Sequence, residues 1–145
     1  MTCALYDILR GRFDDGTPVT DTDPGDMGRS VRDHLRRLLN ARQGVLVHLP
    51  DYGLPDLPVL YSDLSYYRND LLRAVRQTVE RYEPRLHNIR VQFVEATRDD
   101  CVVGIELAGQ LPDGRWAHFE SAFQRDGQTA IYTRASRETL HAGLL

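Results

Sequence analysis

The residues able to do chemistry are few and scattered. His34, His48, His87, His118 and His141 are the five histidines. None pairs with another His, Cys or carboxylate at a metal-ligand spacing such as H-E-x-x-H or C-x-x-C, so the sequence implies no metal and no cofactor. Asp51 and Asp56 flank prolines, and Glu83 follows a helical pattern. Any two of these carboxyls, if held about 5–9.5 Å apart, could serve as the acid and base of glycoside hydrolysis. Nothing in their spacing requires it, and turn residues and caps account for all three. Ser30, Ser62, Ser65, Ser121 and Ser136 stand outside any G-x-S-x-G elbow. Cys3 and Cys101 are too few for a disulfide framework or a complete zinc site. Cys101 opens a strand pattern and reads as a small apolar residue. Phosphate loops and dinucleotide fingerprints are absent from the sequence. The chemistry points to a binding or scaffold protein, not an enzyme, although catalytic groups converge in space and not in sequence.

The chain has 145 residues, 41% hydrophobic and 27% charged, which suits one domain with a real core. We read residues 1–145 as that single domain. All 18 basic residues are Arg, which favours planar, bidentate contacts over point charges. The net charge of −3 hides a gradient: −4 over residues 1–28, +4 over 29–98 and −3 over 99–145. With a pI near 5.9 and both signs mixed in the middle segment, this is not the footprint of a nucleic-acid binder. No apolar run approaches the roughly 20 residues of a membrane span. Residues 1–7 lack the basic and apolar regions of a signal peptide, so a cytoplasmic protein is expected.

Several elements would have to position any site. Leu5, Ile8 and Leu9 share a side of a short helix over 5–13, stopped at Gly11. Residues 14–28, rich in Asp, Thr, Gly and Pro, read as a mobile loop. Val31, Leu35, Leu38 and Leu39 mark an amphipathic helix over 29–41, ending at Gly44 or Asn40. Val45–Leu49 reads as a short extended piece. Three prolines in the nine residues from Pro50 to Pro58 argue against a regular helix or an internal strand. Yet Tyr52, Leu54, Leu57, Val59 and Leu60 are too apolar for a free loop, so an ordered, packed segment is expected. A longer helix over 64–82 carries Leu64, Tyr67, Leu71, Val75, Val79 and Tyr82, and Pro84 ends it at Glu83. The period then changes from 3.6 to 2. Runs at 89–93, 103–107, 117–123 and 129–133, with Asp113-Gly114 and Asp126-Gly127 as turns, make a four-strand antiparallel meander. Residues 135–145 have little pattern and read as a frayed tail. The fold class is α+β: N-terminal helices packed on a four-stranded antiparallel β-meander.

Two stretches carry more than pattern. One is Leu38-Leu39-Asn40-Ala41-Arg42-Gln43-Gly44 leading to Pro50-Asp51-Tyr52-Gly53-Leu54-Pro55-Asp56-Leu57. The other is Tyr82-Glu83-Pro84-Arg85-Leu86 followed by Ile89-Arg90-Val91. Together they resemble the TssE-type baseplate wedge family of bacterial type VI secretion systems and contractile phage tails, some of whose members are labelled "lysozyme-like". The opening Leu5-Tyr6-Asp7-Ile8-Leu9 is similar to that family's start, and the resemblance runs over about residues 5–134. Ala41 departs from the Thr or Ser of many members.

The resemblance implies a structural part that joins the baseplate core to the first ring of the contractile sheath. It implies TssF and TssG as wedge partners and TssB and TssC as the sheath, with TssK and the VgrG hub as further neighbours. It implies no nucleic acid and no membrane insertion, and a cytoplasmic place beneath the inner membrane. It implies that Glu83, Pro84 and Arg85 contact the helical bundle of the wedge. A phage-tail or injection-system wedge protein is the alternative within the family, and a peptidoglycan glycosidase the remote one. The residues fit a docking role. Pro84 limits how Glu83 and Arg85 can point, and Arg85 offers a planar fork of donors. Glu83 can accept from a partner or orient Arg85. A meander leaves two edges, here 89–95 and 129–134, able to accept a foreign strand.

Overall fold

The computed structural model describes residues 9–16, 18, 26–95 and 101–134. The helix expected over 5–13 falls mostly outside these; Leu9 and Arg10 are helical, and Gly11 turns the chain at φ +72°. The expected tail 135–145 lies wholly outside them.

Helix α1 spans Asp26–Asn40, three residues earlier than the apolar pattern alone suggests. Its stripe is the expected one: Val31, Leu35, Leu38 and Leu39 are all buried, joined by Met27. The extended piece expected at Val45–Leu49 is instead a pair of turns. Leu49 N–H donates to the Leu46 carbonyl (3.3 Å) and Val45 N–H to that of Arg42 (3.4 Å). Its side chains have no buried face to alternate into, so nothing favours a strand there.

The proline-rich segment also holds a helix the composition argued against. Helix α2 covers Leu57–Ser62 with Pro58 in its first turn, where the missing N–H costs nothing. Helix α3, Leu64–Tyr82, matches its sequence pattern. Asp63 caps it by accepting from Tyr66 N–H, and Leu71, Val75 and Val79 face inward. Glu83 N–H still donates to Val79 C=O (2.9 Å) before Pro84 stops the ladder.

Four strands follow: β1 His87–Val94, β2 Cys101–Gln110, β3 Trp116–Gln124 and β4 Thr129–Arg134. They pair antiparallel in the order β1-β2-β3-β4, so β1 and β4 are the outer strands among the described residues. One row across the sheet reads Phe93, Ile105, Ser121, Ile131; the next reads Val91, Leu107, Phe119, Thr133. These rows face the helices, and Leu35, Leu39, Leu71, Val75, Val79, Ile105, Leu107, Phe119 and Phe123 form one core. Ser121 is tolerated there because its Oγ donates to the Ile105 carbonyl (2.9 Å). The fold is α+β. Helix α1 lies beside β4 and α3 beside β1.

Candidate functional site

Glu83 ends α3, and its side chain is turned inward: the residue is only 1% exposed. The Pro84 corner swings Arg85 back onto it. Arg85 donates from Nε to Glu83 Oε1 (2.8 Å) and from Nη2 to Oε2 (3.0 Å), a bidentate fork. The Arg85 backbone N–H adds a third bond to Oε1 (3.2 Å). Helix α1 supplies two further groups. His34 Nδ1 lies 2.7 Å from Glu83 Oε2, and Arg85 Nη1 donates to Ser30 Oγ at 2.7 Å.

Burial by itself pushes the Glu83 carboxyl up. The hydrogen bonds from His34 and Arg85 and their positive charge outweigh it and hold the pKa down at about 2. An ionised Glu83 only accepts, so His34 carries its proton on Nδ1. Thus Glu83 acts on Arg85 rather than on solvent, the second of the two roles the sequence allows it. Arg85 itself is partly exposed, with Pro84 exposed beside it. The corner is a charge-balanced post in which Glu83 and Ser30 fix the orientation of a partly exposed guanidinium.

The Pro50–Leu57 segment braces this corner. Leu54 pairs with the chain after α1 as a short parallel bridge: its N–H donates to Ala41 C=O (3.0 Å), and its carbonyl accepts from Gln43 N–H (3.0 Å). Gly53 sits at φ +101° against Ala41, where a Cβ would overlap the Ala41 carbonyl. Its own carbonyl accepts from Thr78 Oγ1 of α3 (3.3 Å). Tyr52 packs edge-on against Tyr82 (centroids 5.0 Å), and Asp51 pairs with Arg81 (3.0 Å). Pro55 is half-buried, Asp56 stands before the first turn of α2, and Leu54 and Leu57 are fully buried. The motif is therefore a structural clamp between α1 and α3.

The structure engages the three carboxyls considered for acid–base work in separate ways: Asp51 with Arg81, Asp56 at a helix start, Glu83 with His34 and Arg85. Among the described residues no group of three or more His, Cys, Asp and Glu could hold a metal ion. No described helix is long and apolar enough to cross a membrane. Sequence reasoning missed His34 and Ser30. They lie 49 and 55 residues from their partners, so no spacing rule could reach them. The one available signal was their position on α1, four residues apart and hence on one helical face.

Three comparisons bear on what such a corner belongs to. The family described as baseplate wedge protein gp25 matches residues 26–113, which contain α1, the clamp, α3, the corner, β1 and β2. No curated protein sequence matches the chain. Among solved structures, the chain is similar to one described as "The baseplate complex from the type VI secretion system", at 27% identity and a TM-score of 0.53, covering 74% of this chain and 93% of that one.

Proposed function

The chain belongs to the gp25 family of baseplate wedge proteins, and on that premise we propose that it serves in the baseplate of a type VI secretion system. There it links the TssF–TssG wedge to the TssB–TssC sheath and starts sheath polymerisation, close to TssK and the VgrG hub. The observation that carries this reading is the likeness to a secretion-baseplate chain over nearly that chain's whole length. It also favours the secretion system over a phage tail or injection machine.

Two features give the reading a mechanism. The Glu83-Pro84-Arg85 corner grips the helical bundle of the wedge, with Arg85 as the contacting group and Glu83 as the residue that aims it. Preorganisation helps here: the fork is already locked by His34 and Ser30, so docking costs little side-chain entropy. The outer strands β1 and β4 are the candidates for accepting a sheath strand by main-chain pairing. Peptidoglycan cleavage draws no support from Glu83. A glycosidase acid must hold its proton near neutral pH, whereas this carboxyl sits at about 2.

The test is co-purification of the intact chain with TssF and TssG, followed by sheath assembly in cells. Arg85→Ala is expected to weaken wedge binding at least tenfold and stop sheath assembly while the circular dichroism spectrum stays that of the wild type. Wild-type protein that binds no wedge protein, or an Arg85→Ala variant that supports full assembly, would overturn the assignment.

A further inference from the structure

The two turns between α1 and the clamp display an apolar tip that the fold does not use. Val45 is 72% exposed and Val47 95%, with Leu46 and Leu49 each more than a third exposed. Single exposed apolar residues need no explanation; four in five consecutive positions do. The tip is also held in one shape. Gly44, at φ +88°, donates its N–H to the Pro50 carbonyl (2.9 Å) and closes the neck of the loop.

Position supplies the second observation. Pro50 leads directly into Asp51 and Tyr52, which are bound to Arg81 and Tyr82, the two residues before Glu83. Val47 is three residues from Pro50, a reach of at most roughly 11 Å. The apolar tip therefore leads directly into the clamp that braces the corner proposed to dock on the wedge.

We propose that the Val45–Leu49 tip inserts into an apolar, side-chain-lined groove of the same helical partner that Arg85 contacts, as the hydrophobic centre of that interface. This rests on the wedge-docking reading above. The occupant follows from the chemistry. The tip is a pair of turns with no extended run, and the N–H groups at its two ends, those of Val45 and Leu49, are spent within the loop, so it offers no strand edge and is read through its side chains. A knob fits a groove between helices. The Asp51–Arg81 pair beside it supplies a polar, charge-balanced rim of the kind that surrounds interface centres. A second copy is a poor occupant, because two convex tips of five residues fall far short of the about 800 Å² per partner that a stable interface buries. A membrane is a poor one too, because the flanking charges cancel and offer anionic lipid no attraction.

The test compares the intact wild-type chain with Val47→Asp, Val45→Ser/Val47→Ser and Arg85→Ala for binding to purified TssF–TssG. Both turn variants are expected to fold normally, since the altered side chains lie in solvent, and to lose at least tenfold in affinity. Wild-type affinity in both turn variants, with Arg85→Ala weakened, would overturn the tip and leave the corner standing. Failure of the wild-type chain to bind TssF–TssG would overturn the wedge-docking reading and the tip with it. A wild-type dimer that Val47→Asp makes monomeric, or vesicle binding that Val47→Asp abolishes, would assign the tip to another occupant and overturn the proposal.

Discussion

Glu83 is a buried carboxylate that stays charged because the Arg85 guanidinium, the His34 ring and a backbone N–H converge on it. That has a consequence for stability. Its pKa falls from the ordinary 4.5 unfolded to about 2 folded, so the native state is favoured above pH 4.5 and the benefit is lost as pH falls toward 2. The gap corresponds to roughly 3 kcal/mol at neutral pH. Urea unfolding of the wild type and of Glu83→Gln between pH 7 and pH 2 should show their difference shrinking as the pH is lowered; a pH-independent difference would contradict the arrangement. Removing the side chain altogether is harsher. Glu83→Ala should cost about 3–5 kcal/mol because Arg85 loses the carboxylate that neutralises it, and Arg85→Ala, which strips the buried carboxylate of its fork, should cost a similar amount, so docking by Arg85→Ala is read alongside its circular dichroism spectrum. At Gly53, φ +101° and the Ala41 carbonyl both exclude a side chain. Gly53→Ala should lower unfolding free energy by more than about 2 kcal/mol in the same assay.

At the scale of elements, one helix end secures an outer strand. Asn40, the last residue of α1, donates from Nδ2 to the Thr129 carbonyl (2.9 Å) and accepts from Thr129 N–H (2.8 Å), closing a two-bond clasp on β4. One residue pair further on, Arg42 Nη2 donates to the Gly127 carbonyl (2.7 Å) while its Nη1 donates to those of Leu39 and Ala41 (both 3.0 Å). The β3–β4 hairpin is thus tied to the C-terminal end of the helix that also holds His34 and Ser30. Asn40→Ala should cost about 1–2 kcal/mol. More diagnostically, it should speed hydrogen exchange at the Thr129 amide while leaving β2 amides protected. Equal protection of Thr129 in both proteins would show that the sheet alone retains β4.

For the whole molecule, the core joins α1, α2, α3 and all four strands through one cluster that includes Leu35, Leu57, Leu71, Ile89, Ile105, Phe119 and Ile131. We propose on this basis that the chain folds as one cooperative domain. Phe119, fully buried at the centre of β3, is the residue to test. Phe119→Ala should lose about 3–5 kcal/mol. Unfolding followed by Trp116 fluorescence and by far-ultraviolet circular dichroism should give superimposable curves, with and without the substitution. Separate midpoints would divide the molecule into independent units.

Whatever depends on period and punctuation could be read from the chain alone. Helix α3 and the four strands follow from apolar spacing, Asp-Gly turns and the stop at Pro84, because a single face buried against a core imposes its repeat on the residues that make it. The clamp motif and the corner were visible as unusual residue strings, and the clamp was expected to be ordered. Local rules failed where neighbours decide. Pro58 is tolerated in a helix because it falls in the first turn, where the N–H groups have no partner within the helix. Val45–Leu49 turns instead of extending because no strand among the described residues pairs with it. Above all, the union of Glu83 and Arg85 with His34 and Ser30 exists only because α1 packs beside the end of α3. Hydrogen bonds close over a few ångströms regardless of separation along the chain, so the folded contacts, and no spacing rule, determine which groups share that charge.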